Sequence, residues 1–567
     1  MSSSEEPVPA DTVATDILGV LHDAGATTVF GLPGVHNLAF FGAGNRSPVV
    51  VRHEQTAGFA ADGWARRTGR LGAAVVTTGP GATNALTAFG EAAAAGSPIV
   101  LVASEIPQRV RRDGRLRGVL HESRDQAAIF APLAKAVFTP RTAADAAAAI
   151  RQAAAVALEA PRGPVYVDVP ADVLGEPADV LGEPAATRPG TGRTALPRAG
   201  AGSEADSGAG TVSGERAGPP DDTRAAAAAI GAGRAVVWAG PGCLDATGAV
   251  VALARHLGAP LVTAFGARGL ETALAAPPHE PEIAELIGSA DVLLAVGGGL
   301  DGMNTRTWTM PRPPALVTVD PAAPADPPEW TAGHALTGDV AALLDALRAA
   351  MPARPPWWDP RVADRVRERL RGDPATAEAF TLVDAVESVT ATGVALVCDM
   401  AVAGYWAGGY ARPAGPRGLA YPVGWGTLGF GLPAAVGVAA TGTPALAVIG
   451  DGGLAMAVGE LATLVQQRLP VTVLVVDDAG YGMLRYDAER GAGSPGTDRL
   501  TTHTGLDLHT PDLVALAGAY GMDAVDAGLD ELGPALCEAV AARRPCLVRV
   551  AARLLPPRTT SPRWHEG

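Results

Sequence analysis

Ala445-Leu446-Ala447-Val448-Ile449-Gly450-Asp451-Gly452-Gly453, with Asp477-Asp478 and Gly480-Tyr481-Gly482 downstream, is the stretch that decides the fold. The apolar run 445–449 reads as a strand that ends abruptly at Gly450 and Asp451. Ala455 to Leu469 has helical periodicity, Pro470 stops it, and Val471 to Val476 is a second, β-branched run ending in two aspartates. A strand–helix–strand unit of this length makes its strands parallel and its crossover right-handed. Asp451 and Asp478 are therefore expected at one edge of one sheet, at the carboxyl ends of nearby strands, where open α/β sheets bind ligands. Two carboxylates there suit a hard cation such as Mg2+ whose shell a phosphate completes. The glycines let backbone N–H groups approach that phosphate, and a helix N-terminus points at it. Aspartates at strand ends also form ordinary turns, and this stretch alone leaves both readings open.

Composition narrows the class. The chain has 567 residues, 48% of them hydrophobic, enough for roughly three domains of ordinary size. A net charge of −15 argues against nucleic acid and against a membrane surface as partners. Cys243, Cys398, Cys537 and Cys546 show neither metal spacing nor a disulfide framework, which fits a reducing compartment. The acidic, polar start is unlike a signal peptide, and the Ala-rich stretches are broken by Gly, Pro and charge before they could span a bilayer. The expectation is a soluble cytoplasmic enzyme.

Upstream, Pro48 to Arg52 reads as a strand ended by His53-Glu54, and Gln55 to Arg67 reads as a helix. Phe30-Gly31-Leu32-Pro33-Gly34 is a strand and a tight turn, and Gly79-Pro80-Gly81-Ala82-Thr83-Asn84 follows the strand Ala73 to Thr78. Near the other end lies Gly424-Trp425-Gly426-Thr427-Leu428-Gly429-Phe430-Gly431. In order and spacing these segments resemble the thiamine-diphosphate (ThDP) enzymes, in their acetolactate-synthase-like branch. The likeness covers almost the whole chain. The family's diphosphate-and-magnesium motif begins Gly-Asp-Gly and ends in a pair of asparagines, and Asp478 stands 27 positions after Asp451 in that second place. An Asp there still offers oxygen, with one more negative charge, so Asp478→Asn is expected to be tolerated.

The resemblance implies three doubly wound parallel-sheet α/β domains: a pyrimidine-binding domain at 11–185, a central domain at 223–350 and a diphosphate-binding domain at 376–556. A Pro/Gly/Ala-rich linker at 186–222 separates the first two, and a tandem heptad, Ala-Asp-Val-Leu-Gly-Glu-Pro, fills 171–184. The central strands are expected at Ala235–Trp238, Pro260–Thr263, Val292–Val296 and Ala315–Val319. The implied metal ligands are Asp451, Asp478 and Gly480, the last through its carbonyl. The implied cofactor contacts of the first domain are Gly31, Pro33, Thr78, Pro80 and Asn84. Those of the third are Gly426, Leu428, Gly450, Gly452 and Gly453, with Tyr481, Gly482 and Met483 beyond the metal motif. Glu54 is the implied catalytic acid, protonating the cofactor's aminopyrimidine so that the thiazolium C2 becomes a carbanion. A glutamate held away from water keeps its proton more readily, which is what that task needs. A solvated carboxylate at a helix start is the alternative for the same residue. The family binds its cofactor between subunits, so a homodimer or homotetramer is expected. Its flavin-associated Arg-Phe-Asp-Asp stretch is replaced by Gly299-Leu300-Asp301-Gly302-Met303-Asn304, which puts FAD in doubt.

The reaction is read from the variable positions. Val35 and His36 follow the first turn and are expected to reach substrate. Gly118-Val119-Leu120-His121-Glu122 stands where acetolactate synthases carry Phe-Gln-Glu, and an imidazole there can protonate the enamine left by CO2 loss and release an aldehyde. These motifs are most similar to the 2-ketoarginine (5-guanidino-2-oxopentanoate) decarboxylases of the branch. His121 is also readable as a satisfied loop histidine. Lys135, the single lysine, is either a substrate-entrance residue, as in acetolactate synthases, or a snorkelling surface residue. Asp487 could read a cationic substrate tail, although the 2-ketoarginine group places its acid at the site of Met483. The expected activity is ThDP- and Mg2+-dependent decarboxylation of a 2-oxo acid to an aldehyde. The alternatives are an acetolactate-synthase-type carboligase and, from the Asp477-Asp478 departure, a non-catalytic ThDP-binding protein.

Overall fold

The computed structural model describes residues 12–42, 44–112, 115–178, 220–323, 328–489 and 505–557. Three parallel sheets organise them. The first contains β1 (Val29–Gly31), β2 (Val49–Val50), β3 (Gly72–Val76), β4 (Ile99–Glu105), β5 (Ala136–Phe138) and β6 (Val165–Pro170), in the order β2-β1-β3-β4-β6-β5. The second contains β7 (Ala235–Ala239), β8 (Leu261–Thr263), β9 (Val292–Val296), β10 (Ala315–Asp320) and β11 (His334–Thr337), ordered β11-β10-β9-β7-β8. The third contains β12 (Ala395–Cys398), β13 (Leu419–Ala420), β14 (Ala445–Gly450), β15 (Val471–Asp477), β16 (Asp523–Asp526) and β17 (Cys546–Ala551), ordered β13-β12-β14-β15-β17-β16. The three-sheet α/β expectation is met, and the first and third sheets share one strand order. Central strands such as β4 and β9 are buried throughout, as parallel strands covered on both faces must be.

The chain forms two compact units, one holding the first sheet with Val436–Thr441, the other the second and third sheets. In the first unit, β-branched residues of β3, β4 and β6 pack on Ile17, Leu21, Ile150 and Val173. Arg66 ties the Glu54–Thr68 helix to the helix Leu86–Ala95, pairing with buried Asp62 at 2.7 Å and buried Glu91 at 3.1 Å. In the second unit one apolar cluster runs through both sheets, from Trp238 and Ile283 to Phe380, Trp406 and Val448. Buried Arg268 crosses between the two sheets' layers, donating to the carbonyls of Gly408 (2.9 Å) and Ala411 (2.8 Å). Burial lowers its pKa to about 10.

Local readings shift in places. The helix expected over 455–469 starts at Asp451 and is two pieces, Asp451–Ala457 and Glu460–Gln467, because Gly459 is a weak helix former at the join. The strand expected over 48–52 is only Val49–Val50. β11 was not expected: it is a short edge strand with mostly uncovered residues and lacks a long apolar run. The helix Pro220–Gly231 begins inside the expected linker. The rest of that linker, from 186 to 219, lies outside the described residues, as do heptad positions 179–184 and the tail from 558. Among the described residues no helix is long and apolar enough to cross a membrane.

Candidate active site

In the first unit the loops after β1, β2, β3 and β4 converge at the carboxyl edge of the sheet. After β1, the Gly31-Leu32-Pro33-Gly34 turn is stapled by buried Asn37. Its Oδ1 accepts the Gly34 N–H at 2.7 Å and its Nδ2 donates to the Leu32 carbonyl at 3.0 Å. After β2, Glu54 opens its helix, capped by His53, whose Nδ1 accepts the Gln55 N–H. The Glu54 side chain is 8% exposed, and its Oε2 accepts Asn84 Nδ2 at 3.0 Å. Among the described residues no cation pairs with it. The Glu54 carboxyl is thus buried and hydrogen-bonded, not a solvated helix-start group.

After β3, Gly79 adopts φ +65°, where a side chain is strained, and a Cβ on it would meet the His121 carbonyl oxygen at 2.8 Å. A Cβ on Gly81 would lie 3.1 Å from Glu54 Oε1, so this one turn touches both residues. Gln126 holds the turn: its Oε1 accepts the Gly79 N–H at 2.6 Å. Its Nε2 is shared among the Ser104 carbonyl, Tyr166 Oη and Asp168 Oδ1, all at 2.9 Å. Thr78 Oγ1 is 3.0 Å from Ser104 Oγ in the same buried layer. Burial and the nearby Glu105 raise the Asp168 pKa well above the usual carboxylate range.

His121, itself at φ +66°, meets His36 edge to face with ring centroids 5.4 Å apart. Neither Nδ1 has a hydrogen-bond partner among the described residues. Burial first and His121 second lower the His36 pKa. The structure thus gathers Glu54, Asn84, Pro80, His36 and His121 around one glycine turn. Val35 beside them is 69% exposed. Lys135 is not gathered there. It precedes β5 at the opposite, amino-terminal edge, and its Nζ donates to the Glu159 carbonyl at 2.5 Å, capping the Ala143–Leu158 helix. A cation at a helix C-terminus is a stabilising structural placement.

In the second unit, β12 and β14 flank the point where the strand order of the third sheet reverses, the usual ligand crevice of such sheets. β14 and β15 are adjacent and parallel, so Asp451 and Asp478 do leave neighbouring strands at one edge. Asp451 is 5% exposed and its Oδ2 accepts Thr510 Oγ1 at 2.7 Å. It has no cationic side chain paired with it among the described residues, an arrangement a bound cation would compensate. Burial raises the Asp478 pKa against the opposing pull of Arg485, with Asp451 adding to the rise. Gly480 is fixed by an antiparallel bridge to Asp507, and the Tyr481 N–H donates to the Leu506 carbonyl at 2.9 Å.

Asp399, at the end of β12, is the anchor of this edge. Both its oxygens accept the Gly429 N–H, at 3.0 and 3.1 Å, and burial raises its pKa to about 6. A Cβ on Gly453 would sit 2.7 Å from its Oδ2, so the Gly450–Gly453 turn and the loop of Gly426 and Leu428 meet at one carboxylate. Leu428 is 36% exposed and Trp425 48%, facing outward from this loop. Met483 packs on the apolar cluster, while Asp487 lies near Tyr405, whose pKa is pushed up to about 12 by burial and by Asp487. Among the described residues no three His, Cys, Asp or Glu side chains gather as a metal cage. A site of two carboxylates and a carbonyl, completed by a ligand's phosphate, is the type that fits.

Sequence reading missed Asn37, Gln126, Asp399, Arg485 and Thr510 as organisers. Asp399 carried a signal, since it ends an apolar run as Asp451 does. Thr510 carried none, being 59 positions from the carboxylate it binds.

Comparison with known proteins finds likenesses along most of the chain. Residues 11–129 match the thiamine pyrophosphate enzyme N-terminal binding domain, 223–347 the central domain and 399–550 the C-terminal binding domain. The protein named "Probable 2-ketoarginine decarboxylase AruI" of Pseudomonas aeruginosa is 32% identical over 554 residues, covering 91% of this chain and 89% of that protein. The acetolactate synthase large subunit IlvB1 of Mycobacterium tuberculosis is 28% identical over 550 residues, covering 90% and 82%. A solved structure from Mycobacterium smegmatis, assigned to the thiamin diphosphate-dependent enzymes, superposes with TM-score 0.72 at 23% identity, covering 96% of this chain and 99% of that one.

Proposed function

The chain belongs to the thiamine pyrophosphate enzyme family, and from that premise we propose that it is a Mg2+-dependent decarboxylase that converts a 2-oxo acid to an aldehyde. The observation that carries this reading is the His36–His121 pair on the same glycine turn as Glu54. Bound ThDP supplies a carbon nucleophile that takes up the 2-oxo acid and accommodates the electron pair left when CO2 departs. Asp451, Asp478 and the Gly480 carbonyl would hold Mg2+, with the Gly450–Gly453 turn beside the diphosphate. Gly426 and Leu428 would support the cofactor's bend. Glu54 would keep a proton on the pyrimidine ring nitrogen, and its hydrogen bond from Asn84 fixes the carboxyl for that task. His121 would deliver the proton that releases the aldehyde. Burial and the neighbouring His121 hold the His36 pKa below its ordinary value, which disfavours a positive charge on that ring.

Homodimers in which the first unit of one copy completes the second unit of another are part of the proposal, as is a cytoplasmic setting. A 2-oxo acid with a cationic tail heads the substrate panel. A relative is named for 2-ketoarginine, and Asp487 places a carboxylate near Tyr405. CO2 release across that panel tests the activity. Product identity separates aldehyde release from the carboligation of the acetolactate synthases in the comparison.

A further inference from the structure

Asp477 ends β15 and Asp478 follows it, and each pairs with an arginine. Asp477 Oδ2 pairs with Arg549 at 2.8 Å, from the adjacent strand β17, and Arg549 also grips Asp526. Asp478 Oδ2 pairs with Arg485 at 2.9 Å, with the two side chains only 13% and 8% exposed. Asp451, facing the same edge, has none among the described residues. Arg485 holds more than the carboxylate: its guanidinium also donates to the Asp478 carbonyl at 2.7 Å and pairs with Asp507 at 3.0 Å. A Cβ on Gly482 would lie 2.2 Å from Asp478 Oδ2, so that oxygen is pressed between Gly482 and Arg485. Asp478 Oδ1 makes no hydrogen bond or ion pair among the described residues.

We propose that Arg485 is a positioning residue that takes one oxygen of Asp478, cancels its charge and presents the other oxygen to the cation. The proposal rests on the ThDP reading above. Without Arg485, Asp451 and Asp478 would set two negative charges at the edge where an anionic diphosphate must approach, and Asp451 already disfavours the charge on Asp478. Arg485 sets one positive charge against Asp478, and it shares that charge with the more exposed Asp507. The arginine is therefore matched to the aspartate, and neither should be changed alone. This replaces the expectation that Asp478→Asn is tolerated: Asn keeps an oxygen but leaves a buried arginine facing the cation.

The test is a cycle of Asp478→Asn, Arg485→Gln and the double variant in the full-length protein, titrated with ThDP by calorimetry at a series of Mg2+ concentrations. Asp478→Asn should raise the half-saturating Mg2+ about tenfold. Arg485→Gln should weaken ThDP binding at saturating Mg2+ about tenfold. The double variant should return to within about threefold of wild type in both, since coupled neighbours do not add. A merely structural arginine would leave the double variant as poor as Arg485→Gln alone. That result overturns the proposal, and so does Mg2+ dependence unchanged in Asp478→Asn, which decides the matter even if Arg485→Gln fails to fold. Wild-type protein that bound ThDP no more tightly with Mg2+ would instead refute the functional reading, and the charge proposal with it.

Discussion

Glu54→Gln should abolish cofactor activation while leaving the fold and ThDP binding nearly intact. Gln retains an oxygen that accepts from Asn84, so the 3.0 Å contact survives. The substitution removes a negative charge from the first turn of the helix Glu54–Thr68, worth about 0.3–1 kcal/mol. The melting temperature should therefore move by less than about 3 °C. What Gln cannot do is give and take a proton. General acid–base catalysis is worth about 10²–10⁴-fold, or about 2.7–5.4 kcal/mol of barrier, several times the structural cost. The assay is exchange of the C2 hydrogen of bound ThDP with D2O, followed by NMR after acid quench, because it needs no knowledge of the substrate. CO2 release from the 2-oxo acid panel is the companion measurement. A variant that keeps more than about a tenth of the wild-type exchange rate, a loss under ~1.4 kcal/mol, would falsify the assignment of Glu54. A collapse in melting temperature would show instead that the carboxylate is structural.

Other outcomes follow from the same geometry. Asp451→Ala should weaken ThDP binding strongly and make it insensitive to Mg2+, measured by the same calorimetry; retained Mg2+ dependence would move the cation elsewhere. His121→Ala should slow aldehyde release about 10²–10⁴-fold while slowing CO2 loss much less, and product should divert to ketol when an aldehyde is supplied. Equal slowing of both steps would make His121 a positioning residue and favour carboligation. Burial and His121 lower the His36 pKa from its ordinary value, so the native state resists its protonation and loses stability as pH falls from the ordinary histidine pKa through the lowered one. Its NMR titration should move up in His121→Ala, and an unmoved curve would show that the two rings do not interact electrically. Purified protein should show no flavin absorbance, whereas stoichiometric FAD released on denaturation would favour the acetolactate synthase reading.

Some of this was fixed by local chemistry and is legible in the chain. An apolar run stopped by Gly450-Asp451 reads as a strand reaching a turn, and one helix later a second such run is expected to return parallel to it. Glu54 after a short apolar run and the Gly79–Gly81 turn after β3 are legible for the same reason, since each signal lies within a few residues of its cause. The partners of these residues were not legible. Gln126 reaches Gly79 across 47 positions, and Thr510 reaches Asp451 across 59. Those meetings depend on the strand order β2-β1-β3-β4-β6-β5 and its repeat in the third sheet, which no spacing encodes. Lys135 shows the same limit, because only the placement of β5 at the sheet's edge put its ammonium on a helix end. The Asp477-Asp478 pair looked from the chain like surplus charge. Packing β15 beside β17, and folding residues 482–489 back over its end, set an arginine against each carboxylate.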